Sequence, residues 1–394
     1  MQTAQVKADL RWDKYLTVRE ALRHDDLRQA LYGASPFMTD ALINLHGDLH
    51  RRRRRAEQPL FSREPLAARE SLIPSTTEAA LAPDLSSGAE LMQFGRQVAA
   101  TFATGIAGID VPHGDGRDMA DLVRLITAFS EIATVANSRR DPADVRSDAE
   151  AAWQSYLDRY LNPSTERRRG LLESGAEAPA DIVTTMLRHG VDDAVLRQEA
   201  TLYMTATVGT APGVLVATFE ELRKRWHDKP ELRGREASDV RFLQRAAWEA
   251  IRLHPANPQH LRRAHRRVVL STGEEIAKDQ SVFLDVVAAN RDASIFGPTA
   301  DIFDPHRELP AGVAPWGIGF GAGIHVCMGQ NMAGGTDMLM GMLALVLSVL
   351  LRYDPVIDPA DPPQPADNTT RRTWARYPVK FSSVPTSIAN NPVR

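Results

Sequence analysis

Trp316 to Ala333 reads WGIGFGAGIHVCMGQNMA. Glycine takes every second position from Gly317 to Gly323, and Gly329 follows the single cysteine, Cys327. Glycines at that density let the backbone take positive φ and pass close to a flat or bulky group. They also leave amide N–H groups free to point at a sulfur. A thiolate so placed can bind a metal and be tuned by those amides. The plainer reading is a phosphate loop, or a turn around a buried cysteine. A P-loop needs Gly-Lys-Ser/Thr, which is absent. A dinucleotide fingerprint needs G-x-G-x-x-G, and it fails at Ala322 or Ile324.

The rest of the chain limits what this loop can serve. It has 394 residues, with 47 Lys+Arg against 50 Asp+Glu, a net charge of −3. That balance offers no global attraction to nucleic acid or to an anionic membrane. A hydrophobic fraction of 43% argues against disorder. One cysteine excludes intrachain disulfides and multi-thiolate zinc fingers, and it fits a reducing compartment. MQTAQVKADLRWDKY has no apolar signal core. A cytoplasmic protein is the expectation. Thr201–Phe219 carries no charge and Met338–Leu351 is strongly apolar. Both read as helices buried in a large core rather than membrane spans.

Apolar spacing of three and four predicts helices at Leu91–Ala107, Met119–Val135, Ala149–Leu161, Ala180–Arg188 and Arg241–Leu253, the last stopped by Pro255. Strand signals fall at Val268–Leu270, Glu275–Ile276, Ser281–Leu284 and Tyr377–Phe381. Asp354–Asn368, rich in Pro and Asp, reads as a surface loop. The expected fold is mainly α with a small antiparallel β part. One domain over 1–394 is expected, although length alone suggests two or three.

The cysteine stretch resembles the haem-binding loop of the cytochrome P450 family, F-G-x-G-x-H-x-C-x-G. Phe320, Gly321, Gly323, His325, Cys327 and Gly329 fill its fixed positions. The resemblance implies a cytochrome P450 fold, haem b, and Cys327 as thiolate ligand of the iron. His325 would bond a haem propionate, and Phe320 would pack beside the thiolate. Glu249 and Arg252 match the family's E-x-x-R helix, and Arg307 in FDPHRE its third partner; their implied role is structural. Read alone, E-x-x-R is an ordinary i, i+3 ion pair.

LHGDLHRRRRRAEQPLFS, Leu45–Ser62, could be a solvated basic run. Against the family, His50, Arg54 and Phe61 match, with His50 and Arg54 one helical turn apart and aimed at the propionates. Arg262 matches a third propionate partner, with Arg263 the alternative one residue on. The remaining arginines of Arg51–Arg55 are expected to face outward, where they could dock an acidic electron carrier.

Over the haem the family carries A-G-x-D/E-T-T. The corresponding stretch is YMTATVGTAPGVL, Tyr203–Leu215. Gly209 stands where the acid would be, and Thr210 keeps the first hydroxyl. Pro212 adds an expected kink. The N-terminal part is shorter than usual in the family. The resemblance implies a monooxygenase that takes dioxygen, electrons from a ferredoxin-type partner and a small, mainly hydrophobic substrate, most simply for hydroxylation. The missing acid keeps oxidative coupling as an alternative, and a haem sensor is a further one. Substrate choice would lie in Gly33–Asp48, Met119–Tyr160 and the long helix.

Overall fold

The computed structural model describes residues 8–382 apart from 33–34, 113–115, 134, 136–137 and 370. A helix of 36 residues, Asp193–Asp228, runs through its middle. At 1.5 Å per residue it is about 54 Å long. Asp192 caps it by accepting from the Ala194 N–H. By length and composition this helix could cross a membrane, yet it packs on both halves into protein.

Two apolar clusters share it. Leu196 to Val208 pack with Ala100–Ile109, Leu122–Ile132 and Val145–Leu161. Val214 to Trp226 pack with Leu91–Val98, Phe242–Ile251 and Met342–Tyr353. Gly209 and Thr210, between the two, belong to neither. Helix Leu91–Ala107 crosses closely because Gly95 has no side chain: a Cβ there would stand 3.2 Å from Pro212 Cα. Pro212 lies within a continuous helix.

The helices Leu91–Ala107, Ile182–Arg188 and Val240–Leu253 agree with the apolar spacing. The second expected helix is Arg117–Ala133; of its expected end, residue 134 lies outside the described residues. The helix expected from Met338 begins only at Met342, because Gly341 has φ of +80°. Val240–Leu253 ends where His254 leaves helical geometry ahead of Pro255.

The largest sheet orders Leu10–Trp12, Ser281–Asp285, Gln259–Ala264 and Leu27–Gln29. Its pairs are antiparallel except the first, which is parallel. Val268–Val269 and Glu275–Ile276 form a separate hairpin. Pro378–Phe381 pairs with Pro355–Ile357 and Ala89–Glu90. The acidic Pro-rich segment is thus less irregular than expected, since it holds Pro355–Ile357 and Gln364–Pro365 as strands.

Candidate haem-thiolate site

The cysteine loop is fastened before it reaches Cys327. Glu249 accepts from Arg252 at both oxygens, 2.7 and 2.6 Å, and from Arg307 Nε at 3.0 Å. Arg252, wholly buried, also donates to the carbonyls of Asn290 and Ala300, 2.6 and 2.7 Å. Asn290 returns a bond to the Arg252 carbonyl at 3.0 Å, and its Oδ1 accepts from the Ile318 N–H at 2.9 Å. The triad therefore reaches the start of the loop through one asparagine.

Within the loop Gly323 has φ of +72°, and a Cβ there would meet the Leu22 carbonyl oxygen at 2.6 Å. The loop is thereby pressed against the helix Tyr15–Arg23. Phe320 stacks edge-on against Trp316, ring centroids 5.2 Å apart. Cys327 N–H donates to the Phe320 carbonyl at 2.9 Å. Burial pushes the Cys327 thiol up; the N–H groups of Gly329 and Gln330 and the Arg54 charge pull against that. Cys327 lies deep in the protein, yet it is solvent-accessible. Its free side therefore opens into an internal cavity.

The long helix passes this loop at Tyr203, whose hydroxyl lies 3.3 Å from Met328 Sδ. On its next turns Ala206 and Gly209 are exposed, although the helix is enclosed by protein. Apart from its own helix backbone, no heavy atom of the described residues lies within 4 Å of where a Gly209 Cβ would stand. Thr210 is half-buried, and its hydroxyl donates to the Ala206 carbonyl at 2.6 Å.

Beside the loop three histidine rings meet. His325 lies 4.7 Å from His50 and 4.9 Å from His46, centroid to centroid. Both ring nitrogens of His50 and Nε2 of His325 are buried without partners among the described residues. Burial first, then nearby arginine charge, lowers His325 to about 2 and His50 and His46 to about 4. Arg54 donates to the Val326 carbonyl at 2.9 Å. Arg262 is 3% exposed, and its hydrogen bond goes to the neighbouring Leu261 carbonyl. Burial brings it down to about 10. Strand alternation turns Arg263 the other way, out to Asp279 at 3.6 Å. Among the described residues no carboxylate pairs with Arg54 or Arg262.

Of the basic run, Arg51, Arg52 and Arg55 are exposed, but Arg53 is not. It pairs at 2.5 Å with Glu199 on the long helix. The correction is geometric: 50, 53, 54 and 57 share one helical face. Glu57, on that face, accepts from the Tyr203 hydroxyl at 2.6 Å. His46 stands one turn before His50, a spacing that was legible in the sequence. The buried pair Glu57 and Glu199 had no sequence signal.

These residues fit haem. Orphaned buried nitrogens and cations without anions match two propionates. Among the described residues no cluster of His, Cys, Asp and Glu could hold a bare metal ion. A lone thiolate suits a metal that brings its own macrocycle. Fold and site together define a haem-thiolate protein. The family model for Cytochrome P450 matches residues 140–382. The chain belongs to the cytochrome P450 family, whose members are monooxygenases that bind haem b.

Pulcherriminic acid synthase of Bacillus subtilis (strain 168) is 27% identical over 336 residues, 81% of this chain and 78% of that protein. Pentalenic acid synthase of Streptomyces avermitilis is 28% identical over 298 residues, covering 74% and 66%. The match to cytochrome P450 71A18 of Arabidopsis thaliana spans 32% of that protein. Among solved structures, CYP109E1 from Bacillus megaterium in complex with corticosterone has a TM-score of 0.72 and 20% identity, covering 97% of this chain and 96% of that one. CalO2 has a TM-score of 0.74 and 19% identity, covering 94% and 90%. The solved structures speak for the fold alone.

Proposed function

We propose that this chain hydroxylates a small, mainly apolar molecule, with electrons from a ferredoxin-type protein in the cytoplasm. The observation that carries the reading is the enclosed, accessible Cys327 beside a histidine–arginine cluster that lacks anions. Haem, when bound, supplies dioxygen activation through its iron, and a thiolate ligand favours that chemistry. Cys327 would ligate the iron, with the N–H groups of Gly329 and Gln330 spreading the sulfur's charge. Phe320 packs at the loop, and Gly321, Gly323 and Gly329 shape its backbone. His50, His325, Arg54 and Arg262 would hold the propionates by charge-assisted bonds. Glu249, Arg252 and Arg307 hold the loop's frame.

On the long helix, Gly209 would leave room for substrate where the family has an acid. Thr210 spends its proton on Ala206, so its oxygen can accept from a water that delivers protons. Exposed Arg51, Arg52 and Arg55 offer a positive surface to an acidic carrier. The names of the two bacterial relatives support oxidative tailoring of small metabolites. The test is turnover with ferredoxin, its reductase and isotopically labelled dioxygen over a panel of apolar metabolites. Hydroxylation adds one labelled oxygen. Loss of two hydrogens without label would favour oxidative coupling instead, and no product with any panel member under steady electron flow would favour a sensor.

A further inference from the structure

One further cation carries an unsatisfied group. Arg371 lies on the turn before the strand Trp374–Arg376. Its Nε is buried and has no hydrogen-bond partner among the described residues. Nη2 donates to Asn257 Oδ1 at 3.2 Å, a neutral acceptor. No carboxylate among the described residues pairs with it. A guanidinium cannot shed its proton, so burial without an anion is costly.

The position is cavity-lining. Arg371 is only half-buried, as is Tyr32, whose neutral hydroxyl lies within reach of the Arg371 and Arg262 charges. Two residues on, Thr373 Oγ1 lies 3.3 Å from where a Gly213 Cβ would stand, one turn beyond Gly209 on the long helix. Arg371 is thus on the long-helix side. The charges that act on the three histidines come from Arg28, Arg51, Arg54, Arg262 and one another. Asn257, Tyr32 and Arg371 come from three separate segments that converge here.

We propose that Arg371, oriented by Asn257, binds an anionic group of the substrate, a carboxylate at one end of an otherwise apolar molecule. The inference rests on the haem-thiolate reading and deepens it. The fork of a guanidinium matches a carboxylate in two bonds, and Tyr32 can add a hydroxyl donor. The apolar remainder would lie along Ala206 and Gly209, where side chains are small.

The probes are ω-imidazolyl alkanoic acids of graded chain length and their methyl esters, titrated into the haem-loaded protein. Imidazole ligates iron and red-shifts the haem band, which reads binding directly. In the wild type the acid of best-fitting length should bind about tenfold or more tighter than its ester, since a charge-assisted pair is replaced by a neutral contact. Arg371→Gln should erase that preference and leave ester affinity unchanged, while Arg371→Lys should keep part of it. Equal affinity of acid and ester in the wild type at every length overturns the proposal. So does a preference that survives Arg371→Gln, or haem loss in Arg371→Gln, which would assign the guanidinium to a propionate. A red shift with esters but no acid preference sinks this inference alone; no shift with any probe sinks the haem-thiolate reading itself.

Discussion

Glu249, Arg252 and Arg307 are as deeply buried as the cations around the cavity, but the two sets are built on opposite terms. In the triad every charged group has an ionic partner: two guanidinia share one carboxylate, and their remaining N–H groups reach backbone carbonyls. Around the cavity, among the described residues, Arg54, Arg262 and Arg371 reach only neutral acceptors, and His50 reaches none. A folded chain does not leave buried charge unpaired for its own stability. Paired charge marks the frame, and unpaired charge marks where a ligand belongs.

The contrast predicts opposite signs. Arg252→Ala leaves Glu249 buried without its main partner and should cost about 3–5 kcal/mol, enough to leave little folded protein. Thermal unfolding and soluble yield measure this; near-native stability would break the comparison from the frame side. Arg262→Met should leave the haem-free protein at least as stable as wild type, because an unsatisfied cation is removed. The same change, combined with Arg54→Ala, should weaken haem retention about ten- to hundredfold, since charge-assisted bonds are lost. Haem transfer to apomyoglobin reads the second effect. A double variant that retains haem normally would end the propionate role.

A smaller effect sits between the two sets, in the buried carboxylates Glu57 and Glu199. Burial pushes Glu57 well up, aided by Glu199, and burial pushes Glu199 up to about 7 despite Arg53. Both are raised in the folded state. Their stabilising contribution is therefore complete below the ordinary carboxylate range and is lost as pH rises through their folded values. Unfolding free energy should fall between pH ~4.5 and ~7, and Glu57→Gln should flatten that slope. Denaturant titration across that window checks it; an unchanged slope would mean that Glu57 is ionised and stabilised by Arg53. The smallest expected effect is at Thr210. Thr210→Ala should raise the share of electrons lost as peroxide severalfold without changing azole affinity, and equal peroxide yield would place proton delivery elsewhere.

The sequence carried the cysteine loop and the E-x-x-R helix well, because both depend on fixed local spacing. Arg307 was legible only against the family pattern, since its partner Glu249 lies far off in the chain. Gln259–Ala264 was not read as a strand. Its charged residues mask the alternation, in which Arg262 faces inward and Arg263 outward. Five consecutive arginines look alike in sequence, whereas helical geometry places 50, 53, 54 and 57 on one face and turns Arg53 inward to Glu199. Arg371 was invisible. Its meaning depends on Tyr32 and Asn257, distant residues that meet it only in the fold.

The central claim is that Cys327 is the iron's thiolate ligand, and the reduced carbon-monoxide spectrum of Cys327→Ser tests it most directly. The wild type should show the far-red-shifted band of a thiolate-bound haem. Cys327→Ser should lose that band while keeping its fold, because the chain has no second thiol to take the place. An unchanged thiolate band in Cys327→Ser would contradict the account.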